Sequence, residues 1–106
     1  MLATEMVRTA MIQDVLGSLL VRTAAGDETA FAALYERSAA RLFAIILRIA
    51  RERALAETVL EMTYARIFER SGTFDPAHDA FAFMIAIARR EAIAAVRAGP
   101  RELNPW

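Results

Sequence analysis

Arg90, Arg97 and Arg101 fall at spacings that place them roughly on one side of a helix, with Ala94 between them. A guanidinium presents a planar fork of donors that fits phosphate or carboxylate bidentately. Such a row is a candidate for a polyanion, and equally an ordinary solvated face. Glu57 and Glu61 lie one turn apart on the same side of another helical segment. Paired carboxylates can perform acid–base work, but here they read as helix-surface charges. The chain has no nucleophile–base pair with an orienting group, no phosphate-cradling glycine loop and no pocket signature around its carboxylates. It is read as a non-enzyme. His78 is the only histidine and cysteine is absent, which excludes imidazole clusters, thiolate metal sites and disulfides. No metal and no cofactor is expected.

The elements that must position these groups are helical. A chain of 106 residues, 57% of them hydrophobic, makes one small domain with a real core. Four Gly and three Pro beside abundant Ala, Leu, Ile, Glu and Arg bias it towards helix. The first helix is expected from about Val7 to Ala24, with Ile12, Val15, Leu16, Leu19 and Leu20 at helical spacing. Gly26 ends it and Asp27 is placed to cap the next. The second runs to about Arg51, carrying Phe31, Leu34, Tyr35, Leu42, Ile45, Ile46 and Ile49, with Ser38 as the site of a bend. The third runs from about Ala54 to Arg70, with Leu60, Tyr64, Ile67 and Phe68 on one face and Val59 and Met62 beside it. After the loop Ser71–Asp79, either Asp75-Pro76 or Asp79 starts the fourth. That helix carries Phe81, Met84, Ile85, Ala88, Ala92, Ile93 and Val96 and stops at Gly99-Pro100. No alternating strand pattern occurs. The fold class is all-α, a compact bundle of about four helices.

Net charge is zero, but it is distributed in blocks. Arg37, Arg41, Arg48 and Arg51 stand in a stretch without an acid; from Glu52 to Asp79 acids outnumber bases; from Ala80 onward bases lead again. Such blocks suit a module with several contact surfaces, and equally plain solubility. Every basic residue is Arg, which a GC-rich coding bias explains without function. The apolar runs VLGSLLV and LFAIILRIA are shorter than the ~20 residues of a membrane span. A cytoplasmic protein without a membrane segment is expected. Residues 1–98 form the helical domain, and the tail 99–106, with Pro100 and Pro105, looks like the start of a linker.

Three segments in this order carry a family resemblance: GDETAFAALYERSAARLFAIILRI, ALAETVLEMTYARIF and FDPAHDAFAFMIAIARREAIAAVR. They resemble region 2 of the extracytoplasmic-function (ECF) RNA polymerase sigma factors, from about Leu20 to Arg97. The second segment is similar to the family's A-E-D…Q-E-T-F pattern, and the third to its F-D-P followed by I-A-R-N…R. The resemblance implies a module for transcription initiation that binds the polymerase clamp coiled coil and the single-stranded −10 promoter element. On the clamp side it implies Glu57, Thr58, Glu61 and Met62, where Thr58 replaces an Asp, Glu61 a Gln and Met62 a Glu. On the DNA side it implies Ser71, Thr73, Phe74 and His78 in the loop, with Phe74 stacking an unpaired base, and Arg90, Arg97 and Arg101 in the last helix. Phe68 and Phe83 replace typical tryptophans, and Ala94 and Ala95 stand where the family often has Asp and a base. Nothing in the chain can serve as region 4, the family's second domain. The alternative is a diverged region 2-like interaction module, binding an anti-sigma factor or a second copy as a homodimer without promoter activity.

Overall fold

Asp27 makes the junction between the first two helices. Its Oδ1 accepts from the Ala30 backbone N–H at 3.1 Å and from the Thr29 hydroxyl at 2.6 Å, while Arg22 donates to Oδ2 at 2.9 and 3.1 Å. An N-cap of this kind satisfies an orphan donor of the new helix. The Thr29 and Arg22 donors hold the Asp27 carboxyl down at about 2. Gly26, at φ +95, supplies the left-handed residue that turns the chain there.

The computed structural model describes residues 2–99, excepting the side chains of residue 2 and residues 8–14. It is an all-α helical bundle: α1 (Leu2–Ala24), α2 (Glu28–Ala50), α3 (Arg53–Arg70), one 3₁₀ turn (Ser71–Thr73) and α4 (Ala80–Ala98). No strand occurs among the described residues. Helix α2 packs against the other three, and α1 also lies on α4.

The core is built from Leu16, Leu19 and Leu20 of α1, Leu34, Leu42 and Ile46 of α2, Val59, Tyr64 and Ile67 of α3, and Phe81, Met84 and Ile87 of α4. On α2 the buried row is Ala30, Leu34, Ser38, Leu42 and Ile46, every fourth residue. Helix α2 runs unbroken through Ser38, the expected site of a bend. Its hydroxyl donates to the Leu34 carbonyl at 2.6 Å, so the Tyr64 hydroxyl of α3 is the donor in the buried bond between the two side chains. Burial pushes the Tyr64 hydroxyl up to about 12.

Between α2 and α3 the chain reverses at Arg51, whose φ of 63 is left-handed. Its N–H donates to the Leu47 carbonyl at 2.7 Å and closes α2. Glycine is the usual residue in this conformation; any other costs roughly 1–2 kcal/mol. Of the two expected starts for α4, the chain uses Asp79, which accepts from the Ala82 N–H at 3.0 Å. Asp75 instead accepts from the Ala77 N–H at 2.9 Å and shapes the loop.

Several residues expected inside lie outside. Phe68 is 51% exposed, Val96 47%, Tyr35 44% and Ile93 42%, and Val15 is also exposed, while Ile85 and Leu60 are only half-buried. Ile87, not singled out from the sequence, is buried. Helix α4 is apolar on most sides, with Ala82, Ala86 and Ala94 among its exposed positions. Periodicity alone therefore does not say which apolar face turns inward. The side chain of Ile12 lies outside the described residues.

Candidate protein- and nucleic-acid-binding surfaces

Helix α3 buries Ala56, Val59, Thr63, Tyr64 and Ile67. With 3.6 residues per turn, this leaves Glu57 and Glu61, and beside them Thr58 and Met62, on the outward face. All four are exposed, so the fold brings the candidate clamp residues together on one surface. Met62 is 42% exposed and is therefore not core packing. Thr58 donates to the Ala54 carbonyl at 3.3 Å. Glu57 pairs with Arg53 at 3.2 Å across two exposed side chains, a contact worth little in water. Glu61 makes no ion pair among the described residues.

This face continues into aromatic residues. Phe68, seven residues on from Glu61, meets Phe31 of α2 edge-on with ring centroids 5.3 Å apart. Tyr35 lies 4.7 Å from Tyr64. Tyr35 and Phe68 are thus part-exposed aromatics where α2 meets α3. Helical spacing groups Phe68 with Leu60, Tyr64 and Ile67, but the seven-residue step from Glu61 is the signal that it faces out.

On α4 the buried residues are Ala80, Phe81, Met84, Ile87, Ala88 and Ala92. Arg89, Arg90, Ile93, Ala94, Val96 and Arg97 are exposed. The helix's one acid, Glu91, is drawn aside. Its side chain is only 13% exposed and accepts from Arg66 of α3 at 3.3 Å, while Arg66 also reaches Glu69 at 3.1 Å. These two carboxylates raise the Arg66 guanidinium above its ordinary value. The outward face of α4 therefore carries Arg89, Arg90 and Arg97 and no acid. Arg89 belongs with the two arginines singled out from the sequence; Arg101 lies outside the described residues.

The loop candidates divide. Thr73 and His78 are exposed; Thr73 donates to the Arg70 carbonyl at 2.7 Å, and His78 Nδ1 stands 3.8 Å from Asp75. Ser71 and Phe74 instead turn inward. Ser71 is 4% exposed and donates to the Phe68 carbonyl at 2.9 Å. Phe74 is 8% exposed, its ring 5.2 Å from that of Phe83. It also lies against Gly17, where a Cβ would sit 3.9 Å from the ring. The expectation of a stacking ring on the loop surface is thus corrected: Phe74 closes the core between α1 and α4, because the extended residue after the 3₁₀ turn points back into the bundle. Beside it, an open groove of about 470 Å³ runs between α1 and the loop, lined by Ser18, Arg22, Pro76 and His78 among others. No helix among the described residues is long and apolar enough to cross a membrane.

The described residues thus form an all-α bundle with exposed carboxylates on α3 and an acid-free basic face on α4. Sequence relatives specify it further. The chain is 32% identical over 95 residues to the ECF RNA polymerase sigma factor SigK of Mycobacterium sp. (strain KMS), covering 89% of this chain and 49% of the relative. It is 30% identical over 83 residues to the proteins of the same name from Mycobacterium bovis (strain BCG / Pasteur 1173P2) and Mycobacterium tuberculosis (strain ATCC 25618 / H37Rv), covering 77% of this chain and 44% of each. The chain spans about half the length of the curated relatives it matches. No protein-family profile matches it, and no solved structure matches it. The chain carries a region homologous to the ECF RNA polymerase sigma factors.

Proposed function

We propose that this chain acts as region 2 of an ECF sigma factor, a non-catalytic module that works in the cytoplasm. It docks on the clamp coiled coil of RNA polymerase through α3 and holds the opened −10 strand through α4 and the loop. The observation that carries the reading is the gathering of Glu57, Thr58, Glu61 and Met62 on one exposed face. A carboxylate there can form charge-assisted hydrogen bonds with a basic coiled coil. The outward arginines Arg90 and Arg97 supply phosphate contacts on the adjoining helix, with Thr73 and His78 at the loop and Arg101 beyond the described residues. Such contacts release counterions, so binding falls steeply with salt. Fluorescence anisotropy with a single-stranded −10-like oligonucleotide at low salt tests the strand half of this function. Weak, salt-sensitive binding that Arg97→Ala reduces is expected; no binding by folded wild-type protein excludes it.

A second reading is favoured by Met62, Phe68 and Tyr35. Exposed apolar and aromatic groups are the anchors that protein interfaces use, and two polar positions of the clamp motif are Thr58 and Met62 here. The α3 face then serves a different protein, an anti-sigma factor or a second copy of the chain. Polymerase binding that is absent in the wild type and unchanged by Thr58→Asp with Met62→Glu would favour this reading.

A further inference from the structure

Between Arg37 and Arg51, the exposed positions of the second helix and its cap are Arg37, Ala40, Arg41, Ala44, Arg48 and Arg51. Every one is arginine or alanine. The arginines are separated by four, seven and three residues, steps that keep them on one flank of a helix. None of the four has a carboxylate partner among the described residues. Arg41 is held over the Phe81 ring of α4, 4.1 Å from its centroid, so the row lies along the flank of α2 that meets α4. Arg51 sits in a left-handed conformation that glycine would fill without strain.

We propose that this row is a second nucleic-acid site, which grips the phosphate backbone of double-stranded DNA independently of sequence. The inference rests on the sigma-factor reading above and adds a surface to it. Charge complementarity selects a polyanion, and the spacing selects its shape. From Arg37 to Arg51 a helix rises about 21 Å, a length matched by roughly six successive phosphates of one duplex strand at 3.4 Å each. An opened strand would need aromatic platforms for its bases, and no exposed aromatic stands between these arginines. An anionic membrane would need bulky apolar groups to bury, and the intervening exposed residues are alanines. A protein interface would centre on bulky apolar or aromatic groups such as Met62 and Phe68 of α3, and none is exposed between these arginines. The pole of the α2 dipole accounts for a cation at Arg48, but not for Arg37 or Arg41, which lie well before the last turn.

The test uses the whole chain with a fluorescent random-sequence duplex and, separately, the single-stranded −10-like oligonucleotide. Arg37→Gln with Arg48→Gln changes two exposed side chains, and circular dichroism verifies that the helices persist. The expected result is about a tenfold loss of duplex affinity at low salt and a log–log salt slope flatter by about 1.8, since each lost phosphate contact contributes about 0.9. Strand affinity should change much less, and Lys at both positions should restore most duplex binding. The paired variant Arg90→Gln with Arg97→Gln should do the reverse. If that pair leaves strand binding unchanged, the assignment of α4 fails while the duplex arm is still read on its own. Absence of wild-type duplex binding, or equal duplex binding by wild type and the Arg37/Arg48 variant, overturns the inference. So does a variant that loses binding to polymerase core or to phosphatidylserine-containing vesicles but not to duplex.

Discussion

The Arg66 guanidinium on α3 reaches across to the Glu91 carboxylate on α4 at 3.3 Å and keeps that carboxylate only 13% exposed. One ion pair thus links the helix proposed to dock on polymerase with the helix proposed to hold DNA. It also engages the single acid of α4 with α3, while Arg89, Arg90 and Arg97 stay exposed. A freed carboxylate among those arginines would repel phosphate and neutralise part of the field that attracts it.

Arg66→Ala should therefore weaken single-strand binding severalfold at low salt, although Arg66 lies on the neighbouring helix. Adding Glu91→Gln should restore it. The cost in stability should be about 1–3 kcal/mol, because Arg66 is itself exposed but its loss leaves the largely buried Glu91 carboxylate without this partner. Anisotropy and urea denaturation on the single and double variants separate the two effects. A loss of binding that Glu91→Gln fails to rescue would show that Arg66 acts by itself.

The Asp27 cap gives the bundle an acid limb. Its carboxyl is held at about 2 against an ordinary 3.8. A carboxyl depressed in the folded state stabilises above its unfolded value, and that contribution disappears as pH falls from about 4 towards 2. Asp27→Asn keeps a capping side chain but gives up the charge facing Arg22. Its melting temperature should lie below that of the wild type at pH 7, and the two should converge near pH 2. Parallel melting curves over that window would contradict the assignment.

Phe74→Ala should cost about 3–5 kcal/mol, as the removal of a large buried ring does. The ring is packed against Phe83 and beside Gly17. Denaturant unfolding measures it directly. A change below about 1 kcal/mol would mean that the ring spends its time on the surface, where it can meet a base.

Thr58→Asp with Met62→Glu should tighten binding to the clamp coiled coil at least tenfold, about 1.4 kcal/mol. Both positions are exposed on α3, so the new carboxylates meet water in the free protein and leave stability nearly unchanged. Calorimetry of the variant beside the wild type checks both statements. No gain in affinity would separate the α3 face from the clamp.

The sequence made the four helices legible because their ends carry chemistry: Gly26 and Asp27, Asp79, and Gly99 all mark breaks that the chain uses. It was less informative about which face turns inward. Ile93 and Val96 look like core, but α4 is apolar on most sides, and only its placement against α2 and α3 decides that Ile87 is buried instead. Phe74 shows the same limit in the loop, since its inward direction follows from the turn at residues 71–73. The clamp candidates were readable as a group because helical spacing and the family pattern both place them on α3. The role of Glu91 was not, because its partner Arg66 is 25 residues away in sequence. The charge block 37–51 was visible, but its concentration on one exposed flank depends on which α2 residues the bundle covers.

The exposed carboxylate face of α3 is the surface proposed to bind the polymerase clamp. Calorimetric titration of the chain against the isolated clamp coiled coil, comparing wild type with Glu61→Arg, tests it most directly. Glu61 is exposed and unpaired among the described residues, so the reversal should leave the fold intact. Measurable wild-type binding should weaken by one to two powers of ten in the variant, about 1.5–3 kcal/mol for a lost charged hydrogen bond. Wild-type binding unaffected by Glu61→Arg, or no wild-type binding by folded protein, would contradict it.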